Sequence, residues 1–64
     1  MQNEIKILIA DDDRVGRGAL VGELKRAGFE KIIEAGNGEE ALIMIERHHP
    51  DVAIIDVWLS RLDG

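Results

Sequence analysis

The sequence predicts an α/β protein in which three parallel strands alternate with two helices. Three observations support this prediction: three short apolar runs, two intervening segments with helical spacing, and connections only a few residues long. Strand, helix, strand, helix, strand in this order is the βαβαβ pattern of a parallel sheet with right-handed crossovers. A chain of 64 residues is long enough for at most one small domain, or for part of one.

The composition is that of an ordinary globular protein and argues against several functions. Hydrophobic residues make up 45% of the chain, and 13 acidic against 8 basic residues give a formal net charge of −5. Nucleic acids and anionic membranes are bound through clustered Lys and Arg, and no such cluster occurs here. We therefore expect no nucleic-acid contact through these residues and no membrane association. The absence of cysteine and of a secretory signal favours a cytoplasmic location.

The first strand and helix are predicted from a change in periodicity. Residues 5–10 are apolar at nearly every position, as in a strand covered on both faces. A helix is predicted from Arg14 to Ala27, with Asp13 as its N-cap and Gly28 following its C-terminus. The residues expected on or beside its apolar face are Leu20, Leu24, Ala27, Val15 and Ala19.

The second strand is predicted at residues 31–33, followed by a glycine-containing turn. Asn37 and Glu40 have the spacing of a capping box, which predicts the start of a second helix. Pro50 requires that helix to end before it.

The second helix is apolar almost all round, so one apolar residue must point away from the sheet. We expect Leu42 and Ile45 to share the inner face with Ala41, and Ile43 or Met44 to point outward. The outward residue is either ordinary surface exposure or a contact with a partner.

The third strand, residues 52–55, is predicted to be buried because all four of its residues are apolar. It ends in Asp56, and the remaining residues 57–64 are expected to begin with a loop.

Carboxylates follow two of the three predicted strands. Asp11 and Asp12 come after the first strand and Asp56 after the third. Ligands of open α/β sheets bind outside the carboxyl ends of the strands, so we expect these three residues to meet there. Clustered carboxylates require raised pKa values or a cation, and hard oxygen ligands suit Mg²⁺.

A carboxylate beside Mg²⁺ can attack a phosphoryl group to form an aspartyl phosphate. Asp56 is the natural acceptor because it stands alone after a rigid strand, whereas Asp11 and Asp12 are adjacent and better placed as ligands. The alternative interpretation is structural: Asp residues commonly terminate strands and cap helices, and these three could do only that.

Two other chemistries are less well supported. An aspartate-based phosphohydrolase requires a second acid two residues after the nucleophile, and that position is Trp58. His48 and His49 precede Pro50 at a helix C-terminus, where they suit the helix dipole better than metal binding or phosphorylation. Trp58 itself is either an exposed contact or a loop anchor.

Several motifs occur together in this sequence. They are the apolar run ending in Asp11-Asp12, Arg17, the segment Asn37-Gly38-Glu39-Glu40-Ala41-Leu42, Pro50-Asp51, Ile54-Ile55-Asp56 and Leu62-Asp63-Gly64. Jointly they resemble the receiver domain of bacterial two-component response regulators, over the whole chain. The resemblance implies strand order 2-1-3, as in half of a flavodoxin-like receiver fold.

The resemblance also implies that the chain acts in phosphorelay signalling and is not an enzyme. Asp56 would accept a phosphoryl group from a sensor histidine kinase. Asp11, Asp12 and Asp56 would bind Mg²⁺, with the backbone carbonyl of Trp58 as a further ligand. Arg14 and Ser60 depart from the family pattern, because proline is frequent at both positions. Without the proline at position 60, the loop after Asp56 should be looser.

A receiver domain has roughly twice this many residues, so the resemblance predicts a truncated receiver at residues 1–64. The Ser/Thr and Lys that complete the family's switch would lie in the missing C-terminal half. The third strand would be an open, apolar sheet edge, which predicts either a homo-oligomer or a longer regulator whose C-terminal half covers this edge. The alternative function is accordingly an interaction module that assembles through this edge without phosphotransfer.

Overall fold

The computed structural model describes residues 4–57 of the chain. Its elements in order are β1 (Lys6–Asp11), α1 (Arg14–Arg26), β2 (Lys31–Ala35), α2 (Gly38–His48) and β3 (Val52–Asp56). The sheet order is β2-β1-β3 with both pairs parallel, which confirms the predicted α/β fold and strand order. Within residues 4–57, neither helix is long and apolar enough to cross a membrane.

One face of the sheet is covered by α1. Ile7 and Ile9 of β1 are buried against Val21, with Leu20 and Leu24 packed around them. The prediction that Leu20 and Leu24 lie on the apolar face of α1 is confirmed. The odd-numbered residues of β1 and these leucines form one apolar layer.

The predicted apolar face of α1 is wrong at three positions: Val15, Ala19 and Ala27. Val15 is 81% exposed and Ala19 is also exposed, whereas Val21 is the buried residue of the helix. Val15 lies in the first turn of α1. Ala27 is the exposed C-cap, where the chain turns away at Gly28 with a φ of 104°.

The opposite face is covered by α2. Leu8 and Ala10 of β1 form a buried cluster with Ala35 of β2 and Ala41 of α2. Ile33, Met44 and Ile45 pack against this cluster.

The apolar stripe of α2 is narrower than predicted. Ala41, Met44 and Ile45 follow the i, i+3, i+4 spacing of one helix face, so Leu42, about 100° away from Ala41, points outward. Leu42 is 59% and Ile43 49% exposed. The prediction is confirmed for Ile45 and for an outward Ile43, and it is wrong for Leu42.

The N-terminus of α2 forms half of the predicted capping box, because the Glu40 side chain bonds the N–H of Gly36 and not that of the N-cap Asn37. The Asn37 side chain accepts a hydrogen bond from the Glu40 backbone N–H at 2.8 Å, and Glu40 Oε1 accepts one from the Gly36 N–H at 2.6 Å. Asp13 occupies the N-cap position of α1 as predicted, but its side chain makes no capping hydrogen bond.

The prediction that β3 is buried is wrong. All five of its residues are exposed, including Ile55 at 50%. In the described part of the chain β3 pairs with one strand only, β1, and the two helices pack chiefly on β1 and β2. An apolar strand sequence therefore does not ensure burial when the strand has one strand neighbour and the helices pack mainly on other strands.

Candidate functional site

The carboxyl ends of β1 and β3 bring two of the predicted site residues together. The strands are parallel, and in their register Asp11 is the direct partner of Asp56. Asp12 follows Asp11 at the same edge of the sheet. Adjacent parallel strands lie about 4.8 Å apart. The sheet therefore places the backbones of Asp11 and Asp56 side by side, as the sequence predicts.

The register that pairs these aspartates is also held at the opposite end of the strands. The Lys6 N–H donates to Asp51 Oδ2 at 2.8 Å, and the Asp51 N–H donates to the Lys6 carbonyl at 2.8 Å. Lys6 Nζ also donates to the His48 carbonyl at 2.7 Å. Lys6 therefore ties the end of α2 and the start of β3 to β1. A slip of one residue would break these bonds and separate Asp11 from Asp56.

The side chain of Asp11 is held by the chain that follows it. Asp11 Oδ1 accepts a hydrogen bond from the Asp13 N–H at 2.9 Å. This side-chain turn sets the direction of the backbone through Asp12. Asp11 is half-buried, whereas Asp12 and Asp56 are exposed and accessible to a ligand from solvent.

The donor set fits a hard divalent cation. Carboxylate oxygens are the ligands that Mg²⁺ prefers, and this ion commonly uses one or two carboxylates while keeping several waters. Between residues 4 and 57, no group of three His, Cys, Asp or Glu side chains is close enough to hold a metal ion by itself. The proposed ligand Trp58 lies outside the described residues.

Arg17 contributes to this region in a way that the sequence argument missed. Its Nη1 donates to the Asp11 carbonyl at 2.7 Å, and its Nε donates to Glu34 Oε1 at 3.0 Å. The guanidinium therefore links α1 to the ends of β1 and β2. The available signal was an Arg one turn into a helix and an acidic residue directly after the next predicted strand, but spacing alone does not show that the two side chains meet.

The two histidines lie away from the strand ends that carry the aspartates. His48 is in the last turn of α2, and His49 is its C-cap with left-handed backbone angles, φ 48° and ψ 61°. Both side chains are exposed. Their position at a helix C-terminus is the one predicted from Pro50.

A shallow groove lies on the outer side of α2. Its lining residues are Leu42, Ile43, Ile45, Glu46 and His49. The groove is mostly apolar and does not include any of the predicted site residues.

Comparisons with known proteins identify relatives of the chain. A family model described as the response regulator receiver domain matches residues 7–64. The transcriptional regulatory protein PdtaR of Mycobacterium tuberculosis is 42% identical over 59 residues, covering 92% of this chain and 29% of that protein. The alkaline phosphatase synthesis transcriptional regulatory protein PhoP of Bacillus subtilis is 42% identical over 59 residues, covering 92% of this chain and 24% of that protein.

A third relative carries a different name. The protein-glutamate methylesterase/protein-glutamine glutaminase 1 of Oleidesulfovibrio alaskensis is 39% identical over 61 residues, covering 94% of this chain and 16% of that protein. The chain thus spans between 16% and 29% of the length of these three relatives, in their N-terminal part. No solved structure gives a significant match. Because the family model matches nearly the whole sequence, the chain belongs to the response regulator receiver domain family.

Proposed function

We propose that this chain takes part in phosphorelay signalling by accepting a phosphoryl group on Asp56 from a sensor histidine kinase. Receiver domains of response regulators are signalling domains and generally not enzymes. The observation that carries the proposal is the pairing of Asp11 with Asp56 at the carboxyl edge of a parallel sheet. Residues 1–64 would serve as the N-terminal part of a receiver domain. The cytoplasm is the proposed compartment, in keeping with a chain that lacks cysteine.

In the proposed transfer, a carboxylate oxygen of Asp56 forms a bond to phosphorus. The phosphorus–nitrogen bond to the kinase histidine breaks, and the leaving imidazole takes up a proton. Asp56 suits this role because its backbone is fixed by the strand pairing with β1 while its side chain is exposed to a large partner.

The same proposal assigns the cation ligands. Asp11, Asp12 and Asp56 would hold Mg²⁺ together with the backbone carbonyl of Trp58. The bound ion would neutralise negative charge on the phosphoryl oxygens. The Asp11 side chain retains one oxygen, Oδ2, that does not take part in the bond to Asp13.

Phosphorylation by a low-molecular-weight phosphoramidate tests this function without the cognate kinase. In the presence of Mg²⁺, intact-mass spectrometry should detect one added phosphoryl group on the wild-type chain, and Asp56→Asn should abolish it. Asp51→Asn is the matched control because Asp51 lies at the opposite end of β3 and its Oδ2 accepts a hydrogen bond that asparagine can keep. A phosphoryl adduct mapped to a residue other than Asp56, or one that persists in Asp56→Asn, would contradict the proposal.

The exposure of β3 favours a second candidate function, self-association through this edge of the sheet. Val52, Ile54 and Ile55 are all apolar and exposed. An exposed apolar edge strand is a template for pairing with another chain. A second copy of this chain could therefore extend the sheet beside β3, with or without phosphotransfer.

Light scattering over a range of protein concentrations tests this association. The wild-type mass should rise above that of a monomer with concentration, and Ile55→Lys should reduce the rise. Ile43→Lys is the matched control because Ile43 is about equally exposed but lies on α2. A monomeric mass at every concentration would eliminate this candidate.

A further inference from the structure

We propose that Arg17 is a positioning residue for the cation site, holding the strand end that carries Asp11 and Asp12 while Glu34 neutralises its charge. This inference rests on the proposed function, because it concerns how the same carboxylates are prepared for Mg²⁺. It assigns roles to two residues that do not themselves contact the ion.

The hydrogen bond from Arg17 to β1 has the features of a strong contact. Arg17 Nη1 lies 2.7 Å from the carbonyl oxygen of Asp11, and the Arg17 side chain is only 18% exposed. A charged donor at this distance makes a stronger bond than a neutral one. Partial burial also limits the competition from water.

Asp11 is consequently fixed at two points. Arg17 holds its backbone carbonyl, and the Asp13 N–H holds its carboxylate oxygen Oδ1 at 2.9 Å. The peptide that begins at the Asp11 carbonyl leads directly into Asp12. Fixing this carbonyl therefore orients both proposed ligands before any ion binds, which reduces the ordering required on binding.

A guanidinium next to a cation site weakens the binding of the cation, because like charges repel. Glu34 offsets the positive charge of Arg17, because its Oε1 accepts a hydrogen bond from Arg17 Nε at 3.0 Å. Glu34 is the register partner of Ile9, so it lies on the face of the sheet that α1 covers. The pair keeps the positioning bond of Arg17 while reducing its repulsion of Mg²⁺.

The start of the β2–α2 connection leaves just enough room for this side chain. A Cβ atom added at Gly36 would lie 3.3 Å from Arg17 Nη1, which is tighter than an ordinary contact. A side chain at position 36 would therefore require the guanidinium to shift by a few tenths of an ångström.

Magnesium affinity of purified variants tests the role of Arg17. The affinity is measured by the fluorescence of Trp58, the single tryptophan, and by the backbone amide shifts of Asp12 and Asp13 in NMR. Circular dichroism establishes that each variant is folded. We expect Arg17→Met to weaken Mg²⁺ binding about 10-fold, the lower range for loss of a residue that orients a metal ligand. Arg17→Lys should recover part of this loss, since lysine keeps the charge but not the fork of donors.

Arg26→Met is the control for the loss of one positive charge from α1. Arg26 pairs with Glu23 on the exposed surface near the end of the helix, far along the chain from Asp11. Its substitution should leave Mg²⁺ affinity unchanged. An equal loss of affinity in Arg26→Met, or an unchanged affinity in folded Arg17→Met, would overturn the inference.

Glu34→Gln tests the charge balance and remains decisive if Arg17→Met does not fold. This variant leaves the guanidinium without its counterion, so Mg²⁺ binding should weaken, and the difference from wild type should shrink as KCl is added. Unchanged affinity in Glu34→Gln would overturn the assigned role of Glu34. If wild type itself binds no Mg²⁺, the proposed function fails and this inference fails with it; if wild type binds and the Arg17 and Glu34 variants bind equally well, only the inference fails.

Discussion

Strands β1 and β3 have similar sequences but different surroundings. Both are short apolar runs that end in aspartate, and they pair in register along their length. Leu8 in β1 is 0% exposed, whereas Ile55 in β3 is 50% exposed. The central strand has a strand on each side and a helix on each face; β3 has one described strand neighbour.

This difference separates two roles that a strand can have in a small α/β protein. β1 supplies the residues around which both apolar clusters form. β3 contributes less burial, but its register brings Asp56 beside Asp11. The stability of the described fold should therefore depend mainly on β1, whereas the candidate site depends on both strands.

The largest expected effect comes from truncating the central strand. Leu8→Ala should lower the free energy of unfolding by about 2–5 kcal/mol, because it removes a fully buried side chain and leaves a cavity. Ile55→Ala is the matched variant in β3 and should cost less than about 1 kcal/mol, because half of that side chain is already in water.

Urea unfolding followed by circular dichroism measures both variants. A Leu8→Ala chain that is unfolded without urea, beside a folded Ile55→Ala chain, agrees with the prediction. Equal losses in the two variants would show that β3 contributes as much to stability as β1.

A smaller effect is expected from the helix that covers β1 and β2. Asn37→Ala removes the side-chain acceptor for the Glu40 N–H at the start of α2, which should cost about 1 kcal/mol. Asn37→Ser keeps an acceptor and should cost much less. Thermal unfolding of the three proteins checks the order; similar melting temperatures for Asn37→Ala and wild type would mean that the cap contributes little to the folded state.

The smallest expected effect is an increase in stability, from a substitution in the connection that leads to β3. His49 has left-handed backbone angles, which cost an L-residue about 1–2 kcal/mol, and glycine adopts them without that cost. After the entropy that glycine loses on folding, His49→Gly should stabilise the protein by about 0.5 kcal/mol. His48→Gly, one residue earlier and inside α2, should destabilise it by up to about 1 kcal/mol. Urea midpoints that shift in the same direction for both variants would contradict this account.

Much of the fold could be predicted because its signals are local. The change from continuous apolar runs to helical spacing locates all five elements, and Asn37 with Glu40 marks the start of α2 as observed. The placement of Asp11 and Asp56 at one edge follows from parallel topology. The proposed roles of these residues in Mg²⁺ binding and phosphotransfer remain predictions.

The errors come from properties that depend on distant neighbours. Leu42 and Val15 are apolar and lie near the predicted inner faces, yet both are exposed because the helix rotation and the helix position relative to the strands decide which residues are covered. The contact of Arg17 with Glu34 and with the Asp11 carbonyl was missed for the same reason, since it joins α1 to two strands.

The sequence by itself determines the order of strands and helices, the start of α2 and the presence of carboxylates after two strands, because these depend on spacing between residues near in the chain. Only the tertiary structure decides that β1 is buried while β3 is exposed, and that Arg17 reaches the end of β1. Burial and side-chain contacts depend on which elements lie next to one another, and two apolar strands of similar composition acquire different environments through their places in one sheet.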